Sequence, residues 1–299
     1  MGFFDRFKRD ESKDRIENVD KIKPQEATNI IKEMAGDDGL EYSKRLVDNV
    51  IAFTSASGGS GASTLVANAA YVASEAGFSV AIIDLNIMCP MQQTFFAVKQ
   101  EIETLDLVSY LMGESTIGES IINIDNNISI MYANNRTIAD SINCESDRAV
   151  ENYNMLIDKL RQLYDLVIID CPMKIDNTLC NNAMYRVDTI YLVWDEGLGS
   201  ISNTERIKNN LALTGIYSSS KIKVILNKRT NVAYNKYPFD KMDLELVEIL
   251  PFSTDVITSS LRSQVFCRDG ATSSENGLLF AEGVSNIVDK ILRHGGLVE

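Results

Sequence analysis

The 299-residue chain is 45% hydrophobic and 24% charged, enough apolar mass to bury one large domain carrying an appendage. Its formal net charge of -13 and isoelectric point near 4.7 exclude broad electrostatic adhesion to nucleic acid, which needs a clustered basic face. Five cysteines (Cys89, Cys144, Cys171, Cys180, Cys267) form no CxxC pair and no metal-ligand spacing, so free thiols in a cytoplasmic protein are expected.

Residues 1–48 are charge-dense and poor in strand patterns, and read as an extension preceding a domain at 49–299. Helical spacing puts Phe3, Phe4 and Phe7 on one face with Arg6, Lys8 and Arg9 around it, the pattern of a short anchor at the inner face of a membrane. Two turns bury little apolar area, which favours the alternative reading of these residues as a frayed terminus. Ile30, Ile31 and Met34 after Pro24, then Leu40, Tyr42 and Leu46 past Gly36 to Gly39, suggest short helices. No run of about 18 apolar residues that would cross a bilayer occurs.

From Val50 the texture changes to apolar runs alternating with amphipathic stretches. Val50–Phe53, Val80–Ile83, Ile128–Met131, Leu166–Ile169, Ile190–Val193 and Ile222–Leu226 read as buried strands. Ser63–Glu75 closed by Gly77, Asp147–Leu163, Ser202–Leu213 and Gly277–Leu292 read as helices between or after them. That alternation predicts an α/β fold, a mostly parallel twisted sheet with helices on both faces. His294, the single histidine, is expected in a solvated Gly-rich tail.

The chemistry gathers where the first strand meets the first helix. Ser57-Gly58-Gly59-Ser60-Gly61-Ala62-Ser63-Thr64 has glycines that let backbone N–H groups approach a phosphate, at a helix amino terminus whose dipole favours anions. Tight packing also selects Gly-rich turns, so the loop alone is weak evidence. Two later strands end in carboxylates, Asp84 and Asp170, at the end of a parallel sheet that faces a ligand crevice. With the Ser63 hydroxyl they form a candidate magnesium set.

Together these residues resemble the MinD/ParA superfamily of deviant Walker P-loop ATPases, over about Val50 to Leu292. The loop matches the family's phosphate-binding loop, Ile83-Asp84-Leu85-Asn86 its switch segment, and Ile168-Ile169-Asp170-Cys171-Pro172 its Walker B strand. The resemblance implies a P-loop NTPase fold, bound ATP and Mg2+, and adenine contacts from Asn227 and from a Leu250-Pro251-Phe252 turn. It also exposes three departures. Ser57 stands where the family's signature lysine crosses a dimer to the partner's phosphates, Ala62 where a lysine binds them in cis, and Asn86 where a carboxylate helps activate water. Lys99 and Lys174 are the candidate replacements near the switch and Walker B strands.

Val187–Val193 and the segment Ser200–Arg206 look like the degenerate CpaE/TadZ group, which marks a cell position for assembly of tight-adherence pili. That likeness implies a homodimeric adaptor with weak or no hydrolysis, recruiting a secretion or pilus-assembly ATPase. The short extension departs from the receiver-like domain most of that group carry. A ParA/MinD-type ATPase in partitioning or division-site placement is the alternative.

Overall fold

Runs of Val, Ile and Leu form the strands of one eight-stranded sheet in a computed structural model that describes residues 48–98, 105–125, 127–134, 143–172, 177–213, 215, 220–230, 239–270 and 274–296. The strands are β1 (Val50–Ser55), β2 (Val80–Asp84), β3 (Ile122–Asn123), β4 (Ile128–Met131), β5 (Leu166–Cys171), β6 (Thr189–Trp194), β7 (Ile222–Arg229) and β8 (Glu245–Pro251). Their order is β3-β4-β2-β5-β1-β6-β7-β8, parallel throughout except for β3, which runs antiparallel along β4. β1 therefore lies between β5 and β6, and β2 on the far side of β5.

The helices are α1 (Ala62–Glu75), α2 (Gln92–Phe95), α3 (Leu107–Leu111), α4 (Ile117–Ser120), α5 (Asp147–Leu163), α6 (Thr178–Arg186), α7 (Leu198–Leu213), α8 (Phe239–Met242), α9 (Thr254–Leu261), α10 (Phe266–Asp269) and α11 (Glu275–Gly295). They bury two apolar cores, one on each face of the sheet, because parallel strands need cover on both sides. Helices α3, α5, α6 and α7 close one face, and α1, α9, α10 and α11 the other. Helix α5 shows how a charged segment still folds: Ala149, Tyr153, Leu156, Ile157 and Leu160 make one buried stripe, and Ser146 caps its amino terminus.

All six expected strands and four expected helices are present, Ile128–Met131 and Asp147–Leu163 with the expected bounds and the others longer by one to five residues. Strand β8 was not anticipated, because Glu245 and Glu248 interrupt its apolar run. At the sheet edge those side chains reach solvent, and Pro251 is tolerated at the strand's last residue. The expected turn at Leu250-Pro251-Phe252 is accordingly corrected: Leu250 and Pro251 belong to β8, and the chain leaves the sheet at Phe252. His294 is likewise not in a tail but in the last turn of α11, where its Nδ1 lies 2.8 Å from Lys223 Nζ. Among the described residues no helix is long and apolar enough to cross a membrane.

Candidate functional site

The carboxyl ends of β1, β2, β5 and β7 open on one crevice, and each contributes a polar group to it. From β1 the chain turns through Gly59 and Gly61, with φ of 80° and 98°, before α1 begins at Ala62. These left-handed angles are nearly free only for glycine. A side chain at Gly61 would also place its Cβ 2.5 Å from Asn227 Nδ2, whereas Gly58 and Gly59 face open space. The loop is thus tight against the protein on one side and open to a ligand on the other.

Asn227, at the carboxyl end of β7, donates through Nδ2 to Ser60 O at 2.8 Å, and its neighbour Lys228 donates through Nζ to Gly59 O at 2.6 Å. Lys228 adopts φ of 58°, a strained angle for a lysine, which the two contacts hold in place. Beside them lies a pocket of about 340 Å³ lined by Gly61, Thr64, Asn227, Pro251, Phe252 and Phe280 among others, within the size range of small-molecule sites. Asn227 and Pro251, expected at the adenine, therefore share one wall with the loop.

The carboxylates do different work. Ser63 Oγ donates to Asp170 Oδ1 at 3.1 Å, and Gln92 Nε2 donates to Asp170 Oδ2 at 2.7 Å and to Ser63 O at 3.0 Å. Asp84, fully buried, accepts the backbone N–H groups of Asn86, Met91 and Gln92 at 2.7–3.0 Å. The carboxylate expected as a metal ligand is thus committed to folding the segment after β2, because three backbone donors already converge on it. Burial, and then the charge of Asp170, pushes the Asp84 carboxyl up to about 8; burial pushes Asp170 up to about 6 against the pull of Gln92 and Ser63.

Ser57 is also tied within its own chain. Its hydroxyl accepts from Ser200 Oγ at 3.1 Å, and Asn203 Nδ2 holds Ala56 O at 2.9 Å, so the start of the loop is braced on α7. Ala62 is buried at the first turn of α1 and Asn86 is half-buried, giving its backbone N–H to Asp84. Lys99, Lys174 and Phe3, Phe4 and Phe7 lie outside the described residues.

The residues fit a magnesium nucleotide in shape. Ser60 Oγ, Gln92 Oε1 and Ser253 Oγ are buried without a hydrogen-bond partner around the crevice, which is costly unless a ligand or water completes them. Ser63 with Asp170 suits Mg2+, which takes one or two protein ligands and fills its octahedron with phosphate oxygens and water. Cationic charge is what the loop lacks: among the described residues the ammonium hydrogen-bonded to it is that of Lys228, on the pocket side. Gln92, Lys228 and Ser200 were not singled out from sequence, although Lys228 directly follows Asn227.

The AAA domain family model matches residues 48–224. The chain is 24% identical over 221 residues to the septum site-determining protein MinD of Thermotoga maritima, covering 71% of this chain and 78% of that one. Its fold matches MinD of Pyrococcus horikoshii complexed with Mg-ADP at a TM-score of 0.66, 20% identity, over 84% of this chain and 99% of that one. It also matches a chain of the MinC:MinD cell division complex of Aquifex aeolicus at 0.67, 18% identity, over 84% and 98%.

Proposed function

Because the chain belongs to the AAA domain family and has the MinD/ParA P-loop fold, we propose that it is a dimeric spatial adaptor whose P-loop holds adenine nucleotide weakly and hydrolyses it slowly or not at all. The observation that carries this reading is the uncharged phosphate end: Ser57, Ala62 and Asn86 stand at three positions that the resemblance assigns to charged groups. Bound Mg-ATP would lie between the loops of two copies that pair face to face. The backbone N–H groups of Gly58 to Thr64 would hold the phosphates, the Ser63 hydroxyl would turn to the metal, and Asn227 Oδ1 would accept from the base. Ser57, braced on Ser200, extends no cation toward a partner's phosphates. Pairing would then proceed without a catalytic cycle.

The chain divides in this reading into the extension 1–48 and the P-loop domain 49–299. The protein is cytoplasmic, with Phe3, Phe4 and Phe7 making peripheral contact with the membrane, and the CpaE/TadZ likeness suggests a pilus or secretion assembly ATPase as its protein partner. A second reading, a weakly active ATPase in partitioning or division-site placement, is favoured by the coverage of the MinD relative along most of its length.

Phosphate release from ATP separates the two. The adaptor reading expects release from the wild-type chain and from Asp170→Ala to coincide, with light scattering showing a dimer in both. Turnover abolished by Asp170→Ala would establish the second reading instead.

A further inference from the structure

One residue ties together the two buried carboxylates of the crevice. Gln92, the first residue of α2, gives its backbone N–H to Asp84 Oδ2 at 3.0 Å and its side-chain Nε2 to Asp170 Oδ2 at 2.7 Å and to Ser63 O at 3.0 Å. Both amide protons are thereby used, and with Ser63 Oγ on Oδ1 each oxygen of Asp170 holds a neutral donor. Gln92 is fully buried, yet its Oε1 meets no hydrogen-bond partner among the described residues.

We propose that Gln92 is a latch on the cation site: its amide holds Asp170 where a divalent cation would, and must let go before Mg2+ binds at Ser63 and Asp170. The inference rests on reading the crevice as a Mg-nucleotide site and adds a residue that makes cation entry competitive. Mg2+ at Ser63 needs an oxygen of Asp170, either directly or through one of its waters. The oxygen that Ser63 leaves free is the one that Gln92 holds. An amide N–H presents positive charge to that oxygen, as the cation does, so the two repel when they share it.

The stranded Oε1 makes the latch releasable. A buried carbonyl without a partner forfeits its hydration, so the bonds to Asp170 and Ser63 form against a standing cost. Turning that carbonyl toward water or toward the cation's water shell removes the cost. A side chain with every polar atom satisfied would be a permanent plug instead.

Release would also reach the pocket. Met91 and Phe95 line it, and Met91 shares Asp84 Oδ2 with the backbone N–H of Gln92. One short segment thus carries part of the pocket wall and the latch on the carboxylate, which links cation entry to the shape of the far end of the crevice.

Calorimetry on the full-length protein reads the latch as the ratio of ADP affinity in Mg2+ to that in EDTA. Removing the amide should raise this ratio about tenfold, the lower end of what one hydrogen bond to a charged group is worth, in Gln92→Ala and Gln92→Met alike. Methionine keeps the volume of glutamine, which separates loss of the amide from the cavity that alanine leaves. An equal ratio in the wild type and Gln92→Met would overturn the proposal. The side-chain amide resonance of Gln92, identified by its disappearance in Gln92→Met, gives a second readout: Mg-ADP should shift it and ADP in EDTA should not. A resonance unmoved by saturating Mg-ADP, or moved equally by ADP in EDTA, would overturn the latch as well. If neither wild type nor variants bind ADP under either condition, the nucleotide reading fails by itself and Mn2+ alone decides the latch. Gln92→Met should then deplete the free-ion spin-resonance signal at about tenfold lower concentration than the wild type, and equal depletion would reject the proposal.

Discussion

The two ends of the proposed nucleotide crevice differ in how they are built. At the end proposed for the base the loop is held by side chains: Asn227 and Lys228 grip the carbonyls of Ser60 and Gly59, and Gly61 leaves room for Asn227 that no other residue would. At the end proposed for the phosphates the loop has the shape of a cradle without the charge, with Ala62 at the first turn of α1 and Ser57 turned onto Ser200. Shape and charge are separable because they arise from different atoms. The cradle is backbone, fixed by glycine conformation and by the sheet. Its electrostatics depend on a few side-chain tips that can change without disturbing the fold.

Adding charge at the uncharged end gives the largest expected effect. Ala62→Lys should tighten ATP binding by about 1.5 to 3 kcal/mol, roughly ten- to a hundredfold, the worth of one charge-assisted hydrogen bond. Calorimetry measures it, and Trp194 offers an optical signal, since the carbonyl of its neighbour Val193 accepts the N–H of Ala56. Phosphate release should stay at background until Asn86→Asp is added, because hydrolysis needs the attacking water positioned as well as the phosphates held. An unchanged affinity in Ala62→Lys would mean that the loop is not a phosphate site, and the contrast between the two ends would collapse.

The opposite manipulation sharpens the contrast. Asn227→Ala removes the bond to Ser60 O and the side-chain carbonyl proposed to accept from the base, so ADP should bind about tenfold more weakly, or about 1 to 1.5 kcal/mol. Inorganic pyrophosphate, which has no base, should bind as it does to the wild type. Equal losses for both ligands would show that Asn227 serves only to shape the loop.

Much of this was legible in the sequence, and the reasons for the exceptions are physical. Buried parallel strands announce themselves as apolar runs, so the strands around the crevice stood out, as did the loop at Ser57 to Thr64. Strand β8 did not, because an edge strand tolerates Glu245 and Glu248. Helix α6 was hidden by its polar residues and is set by Asn177, whose side chain caps Cys180 N. The role of Asp84 depends on a turn that brings the N–H groups of Met91 and Gln92 back over the end of β2, which no spacing encodes. The reach of Lys228 to Gly59 follows from a single left-handed residue. For Asp84 and Lys228 the missing information was tertiary: which donors a buried carboxylate meets, or which carbonyl a flexible amine finds.

The smallest predicted effect probes the buried carboxylates beneath the phosphate end. Both carry raised pKa values, Asp84 up to about 8 and Asp170 up to about 6, with burial as the first cause in each. The unfolded chain ionises them near the ordinary carboxylate value, so from about pH 4 upward it releases protons that the folded state retains. Stability falls as pH rises through that window and levels off above the folded pKa values. Asp170→Asn keeps an acceptor for Gln92 and a donor for Ser63 Oγ while removing one buried charge. It should stabilise the ligand-free protein at pH 8 by on the order of 1 kcal/mol, and by almost nothing at pH 4, where the aspartate is already neutral. Urea unfolding at the two pH values measures the difference. A variant equally destabilised at both would show that Asp170 acts through its hydrogen bonds alone, with the charge at the foot of the loop already neutralised. A gain confined to high pH would show that the phosphate end, unlike the base end, stores an electrostatic strain that a bound cation would relieve.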